Sequence, residues 1–134
     1  MAPVLDVNSN PDNPVIGDRA FGTTPDVVCE LGLATAAGLQ DNKVVACGKH
    51  FPGHGDTSVD SHYRASGGRG IAGAIGCHQF PPFRRAAAQG VASMMTAHVL
   101  YRALDPELPA TLSPTIINKT LAPGAAIRRS GVDG

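Results

Sequence analysis

The chain has 134 residues, 43% of them hydrophobic and 16% charged, a make-up that fits one ordinary globular domain and excludes a disordered chain. Eleven basic residues against eleven acidic ones leave no net charge, so no nucleic acid and no acidic membrane surface is indicated as a partner. Three unpaired-looking cysteines, Cys29, Cys47 and Cys77, and the absence of a signal-peptide pattern or an apolar run of membrane-spanning length point to a reducing, cytoplasmic compartment.

In chain order, "PVLDV" (3–7) reads as a compact β-type run, followed by the polar loop "NPDNPVIGDRAFG", whose Asn-Pro pairs oppose a helix. A helix then starts at Thr24 as cap and Pro25 as first residue, with Val27, Leu31, Ala34 and Gly38 predicted on its apolar face. "KVVAC" (43–47) reads as a continuous buried strand that ends where a histidine-rich loop begins. A helix around 83–89, a strand over 91–97 and a helix opened by Ser113 and Pro114 complete the series. Strand and helix alternate, the signature of parallel βα units with helices outside. In such folds the working residues stand at the C-terminal ends of strands. Asp6, the Lys49–His62 loop and His98 all fall at such ends, which favours an enzyme over a scaffold.

The loop "KHFPGHGDTSVDSH" (49–62) is too polar for a core segment, because each buried polar group must find a partner. His50 and His54 have the i, i+4 spacing of a helical zinc pair, but Pro52, Gly53 and Gly55 interrupt any helix, so no metal ligand is assigned. The glycines lack phosphate-loop spacing, and no cofactor is expected. Asp60 and His62 remain as a dyad in which the carboxylate fixes the imidazole tautomer and the far nitrogen moves a proton. The alternative is a polar loop whose histidines are structural.

"KHFPGHGDT" followed by "DSH" resembles the signature of family 3 glycoside hydrolases, in particular their β-N-acetylhexosaminidase branch. "APVLDVNSNPDNPVIGDRAFG" and "MTAHVLYRALDPELPATLSP" are similar to segments up- and downstream of that signature. The resemblance implies a (β/α)8 TIM-type barrel, of which the chain would supply about three βα units as a partial N-terminal catalytic domain over 1–134. It also implies a retaining hydrolase that removes terminal β-linked N-acetylglucosamine from cell-wall or chitin-type glycans, with a carbohydrate as its partner. Alternatives are a β-glucosidase or phosphorolytic relative, and a non-catalytic sugar-binding fragment.

Carried over by position, the resemblance makes His62 the acid/base and Asp60 its orienter, while Lys49, His50 and Arg19 bind sugar hydroxyls. For Arg19 the alternative is a loop-bracing ion pair with Asp18 or Asp12. The family's nucleophilic aspartate would stand just beyond an element that "SGVDG" resembles, where the sequence stops, so these 134 residues alone are expected not to turn over substrate. Two stretches depart from the family pattern, 64–80 and 121–134. The first carries five glycines between Gly67 and Gly76, poor helix material, and reads as an out-of-frame or decayed segment.

Overall fold

A computed structural model describes residues 1–56 and 78–121. After an extended N-terminal segment and a 3-10 turn at Gly17–Arg19, the elements are α1 (Pro25–Asp41), β1 (Cys47–Phe51), α2 (Phe80–Ala88), β2 (Ser93–Thr96) and α3 (Pro114–Leu121). β1 and β2 pair in parallel, Cys47 opposite Ser93 and Phe51 opposite Thr96, with an irregularity between Lys49 and Phe51. On the other side of β1 the N-terminal segment joins through a parallel bridge, Val4 to Lys49, supported by Leu5 N–H to the Lys49 carbonyl at 2.6 Å and Cys47 N–H to the Ala2 carbonyl at 2.7 Å. Three β segments thus lie side by side in chain order, all parallel, with helices in the connections. This is the α/β architecture expected of successive βα units.

Several boundaries differ from the sequence-based expectation. The run over 43–47 is not a buried strand: Val44 is 51% and Val45 71% exposed, and the ladder begins only at Cys47. The physical reason is where pairing partners lie. Lys43 adopts a left-handed conformation with φ 64°, and turn bonds from Lys43 to Gln40 and from Val44 to Leu39 spend these residues on leaving α1. The strand therefore shifts four residues on and takes Lys49 and His50 into itself. The 3–7 run is a single bridge rather than a full ladder, although Leu5, Asp6 and Val7 are all fully buried.

α1 starts where expected, with Pro25 in its first turn, but the Thr24 hydroxyl makes no capping bond. Its buried face also differs. Val28, Cys29, Gly32, Leu33 and Ala36 point inward, whereas Val27 and Leu31 are 40% and 45% exposed. Apolar residues lie on both sides of this helix, so periodicity alone did not select the inward one. α2 begins at Phe80 rather than 83, with two prolines in its first turn, where their missing N–H groups cost nothing.

One core joins the pieces: Leu5, Leu33, Phe51, Phe80, Phe83, Ala97, Val99, Tyr101 and Ile116 are among its members. Phe51 is its centre, edge-on to Phe83 at 5.5 Å and tilted against Phe80 at 6.4 Å. Cys29 and Cys47 are buried free thiols.

α3 shows the expected start with a second layer of bonding. The Ser113 hydroxyl accepts from Ile116 N–H at 3.1 Å and donates to Asp105 at 2.6 Å, while the other Asp105 oxygen takes the Glu107 and Leu108 amides at 3.0 Å. The Ser113 hydroxyl, with those amides of Leu108 and Glu107, holds the Asp105 carboxyl below its ordinary value. Ser113→Ala should cost about 1 kcal/mol as a lost cap, measured by urea titration. A carboxyl whose folded value is depressed contributes above its unfolded pKa of about 3.9 and loses that contribution as pH falls through the folded value. The same variant should therefore also be less sensitive to acid below about pH 4. An unchanged acid limb would remove Ser113 as the cause.

Candidate active site

The C-terminal end of β1 is organised by one buried carboxylate. Asp6 is 0% exposed and sits at the end of the first β segment. Its oxygens accept from the His50 backbone N–H at 3.1 and 3.2 Å, from the His54 backbone N–H at 2.7 Å, and face His50 Nδ1 at 2.7 Å. A buried carboxylate is costly unless its lone pairs are met by donors, and here amides and an imidazole meet them. The peptide bonds Lys49–His50 and Phe51–Pro52 are cis.

The turn after Phe51 is clasped by Tyr101 and Asn13, and the first β segment beside it by Gln79. The buried Tyr101 hydroxyl donates to the Gly53 carbonyl, and burial, then the charges of Asp6 and Asp56, push its pKa well above the ordinary value. It therefore stays a neutral donor. Asn13 donates from its amide to the His54 carbonyl at 2.7 Å and accepts the Val15 and Ile16 amides at 2.8 and 2.7 Å. Gln79 accepts from Val7 N–H and donates to the Val7 carbonyl at 2.9 Å.

Two glycines are demanded by this packing. Gly53 has φ 128°, and a Cβ there would stand 2.6 Å from Gln79. At Gly55 a Cβ would stand 1.8 Å from the Val7 carbonyl oxygen. The "PGHG" spacing is thus a consequence of close approach of this loop to Gln79 at Gly53 and to the first β segment at Gly55.

Of the residues singled out in the sequence, Lys49 and His50 come together at the end of β1, half-buried, with His50 at the irregularity in the ladder. Bulges of this kind re-aim a side chain. Arg19 is exposed at the end of the 3-10 turn and donates from Nε, at 3.1 Å, and from Nη2 to the Val15 carbonyl. Among the described residues it forms no ion pair with Asp12 or Asp18, so it braces its own loop through a carbonyl rather than a carboxylate. His98, at the end of β2, is exposed. Asp60 and His62 lie outside the described residues.

Sequence reasoning placed Asp6 at a strand end but gave it no role. The signal was present: a carboxylate inside an apolar run has to be answered by donors. Gln79 had no such signal, since it falls within the stretch read as atypical. It is nonetheless buried and bonded, and Phe80 beside it belongs to the core.

A shallow groove of about 690 Å³ between α1 and α2 shares no residue with this cluster. Its lining includes Cys29, whose thiol is pushed up by burial against the opposing pull of Arg85, so it is held in the unreactive form. No helix among the described residues is long and apolar enough to cross a membrane.

A parallel α/β unit with a polar cluster at the C-terminal end of its strands defines an architecture shared by barrel and open-sheet enzymes. The family described as "Glycosyl hydrolase family 3 N terminal domain" matches residues 1–125, and the chain belongs to that family. A β-hexosaminidase of Alkalilimnicola ehrlichii is 44% identical over 120 residues, covering 90% of this chain and 34% of the relative. Among solved structures, a family 3 β-N-acetylglucosaminidase from Paenibacillus sp. superposes with a TM-score of 0.84 at 48% identity, over 87% of this chain and 22% of that one. Native NagZ from Neisseria gonorrhoeae gives 0.81 at 35% identity, over 91% of this chain and 36% of that one. The chain thus spans about a third of the length of the curated relatives it matches.

Proposed function

We propose that the chain is part of a retaining β-N-acetylhexosaminidase that removes terminal β-linked N-acetylglucosamine from cell-wall or chitin-type glycans in the cytoplasm, as in peptidoglycan recycling. The observation that carries this reading is the Lys49–His50 pair at the end of β1, with His50 held by the buried Asp6. Relatives named β-hexosaminidase and β-N-acetylglucosaminidase support the sugar class. In this reading Lys49 and His50 bind substrate hydroxyls, and Arg19 offers its remaining guanidinium N–H groups to the same sugar. His62 protonates the leaving oxygen, oriented by Asp60. An imidazole suits that task beside an attacking carboxylate, because it adds no second negative charge to the site.

The full-length gene product should hydrolyse a chromogenic N-acetyl-β-glucosaminide in preference to the matching β-glucoside. The reverse preference would overturn the branch assignment. Lys49→Met should lower kcat/KM by roughly 10–100-fold, the worth of one charge-assisted hydrogen bond. A larger fall in kcat than in binding would report a bond that tightens in the transition state. Unchanged kinetics would return Lys49 to a structural role.

A further inference from the structure

We propose that Asp6 locks the neutral imidazole of His50 in its Nδ1–H form, so that Nε2 meets the ligand as a hydrogen-bond acceptor for a hydroxyl group. The hydroxyl belongs to a sugar on the reading above, and that half of the proposal rests on it. The tautomer itself rests on geometry alone.

An ionised carboxylate can only accept, so an imidazole nitrogen 2.7 Å from Asp6 Oδ2 must be the one that carries hydrogen. The surroundings of Asp6 fix that polarity. Its other hydrogen-bond neighbours among the described residues are the His50 and His54 backbone N–H groups, both donors, and the carboxylate is fully buried. Because His50 N–H and Nδ1 are both held by the same carboxylate, backbone and ring are fixed together and the imidazole cannot flip without losing a bond. In a neutral ring whose Nδ1 carries the hydrogen, Nε2 has a lone pair and no hydrogen. Among the described residues nothing hydrogen-bonds Nε2, and the side chain keeps 17% of its surface open.

The chemical consequence is selectivity. Lys49, the preceding residue, is donor only, while His50 in this form is acceptor only at its open edge. A hydroxyl can satisfy both, accepting from one and donating to the other. A carboxylate or phosphate has no hydrogen to give Nε2 and leaves it unmet. The pair therefore suits a neutral polyol over an anion. Asp6 acts through His50 and is a positioning residue.

The test is long-range 15N–1H correlation of the His50 ring in the labelled 134-residue chain, at a pH above the imidazole's titration. The wild type should show hydrogen on Nδ1. Hydrogen on Nε2, or an imidazolium that persists there, overturns the proposal whatever any variant does. In Asp6→Asn the amide oxygen can keep the backbone bonds while its NH2 faces the ring, so the tautomer should invert to Nε2–H. A folded variant that keeps Nδ1–H also overturns it. For the ligand half, N-acetylglucosamine and its monodeoxy analogues are titrated against the full-length gene product and its Asp6→Asn variant. Asp6→Asn should weaken N-acetylglucosamine roughly tenfold and leave one deoxy analogue unaffected, the one lacking the donated hydroxyl. Equal weakening of every sugar overturns the acceptor role. An Nδ1–H ring together with a full-length product that binds no N-acetylglucosamine removes the glycan reading and leaves the tautomer standing.

Discussion

His62→Ala in the full-length gene product should slow hydrolysis of substrates with poor leaving groups by roughly 10²–10⁴, the usual worth of a positioned general acid. The reasoning is that an alkoxide leaving from a sugar needs a proton in the transition state, whereas an activated phenolate leaves without one. Substrates with activated leaving groups should accordingly lose far less in the first, glycosylation step. Asp60→Asn should reproduce the pattern in weaker form, because on the proposed reading it removes the orienting group and leaves the acid in place. Kinetics on a leaving-group series would decide it. Small and equal losses across the series would take His62 out of the acid role.

The second large effect is structural. Gly55→Ala should cost about 3 kcal/mol, the upper end for overpacking, because the atom in the way is the Val7 carbonyl oxygen at 1.8 Å and not a flexible side chain. That carbonyl cannot retreat freely. It already accepts from Gln79 at 2.9 Å and from the Ser9 N–H at 2.8 Å, while the Gly55 carbonyl accepts from the Asn10 N–H at 3.1 Å. Urea titration should show the loss, with Gly38→Ala on α1, where nothing stands within 4 Å, as the neutral or slightly stabilising control. A Gly55→Ala protein within about 0.5 kcal/mol of wild type would mean that the loop and first β segment are free to separate.

The order of elements was legible because each carries a local signal: Pro25 at a helix start, Ser113 before Pro114, and alternating apolar runs. The register of β1 was not. Val44 and Val45 have strong strand character, yet pairing depends on where Ala2–Leu5 and β2 lie, and no local pattern encodes that. The inward face of α1 failed for a related reason, since Val27 and Leu31 are as apolar as Val28 and Leu33 and only the tertiary partners choose between them. In the site, the polar loop announced Lys49 and His50. What fixes His50 came from far away in the chain, Asp6 from an apolar run, and Gln79, from a glycine-rich neighbourhood, fixes Val7 beside that carboxylate.

Those distances along the chain set an order of events in folding. The Asp6 bonds to the His50 and His54 amides span 44 and 48 residues, and Gln79 reaches Val7 across 72. Closing such loops is entropically unfavourable until the flanking helices and strands have docked, so the loop geometry around His50 is expected among the last contacts to form. Occupancy of that edge is then linked to the integrity of everything that must dock beforehand. A sugar bound there would raise the melting temperature of the whole unit in proportion to the logarithm of its concentration, once above its dissociation constant, and thermal shift becomes a readout of the site.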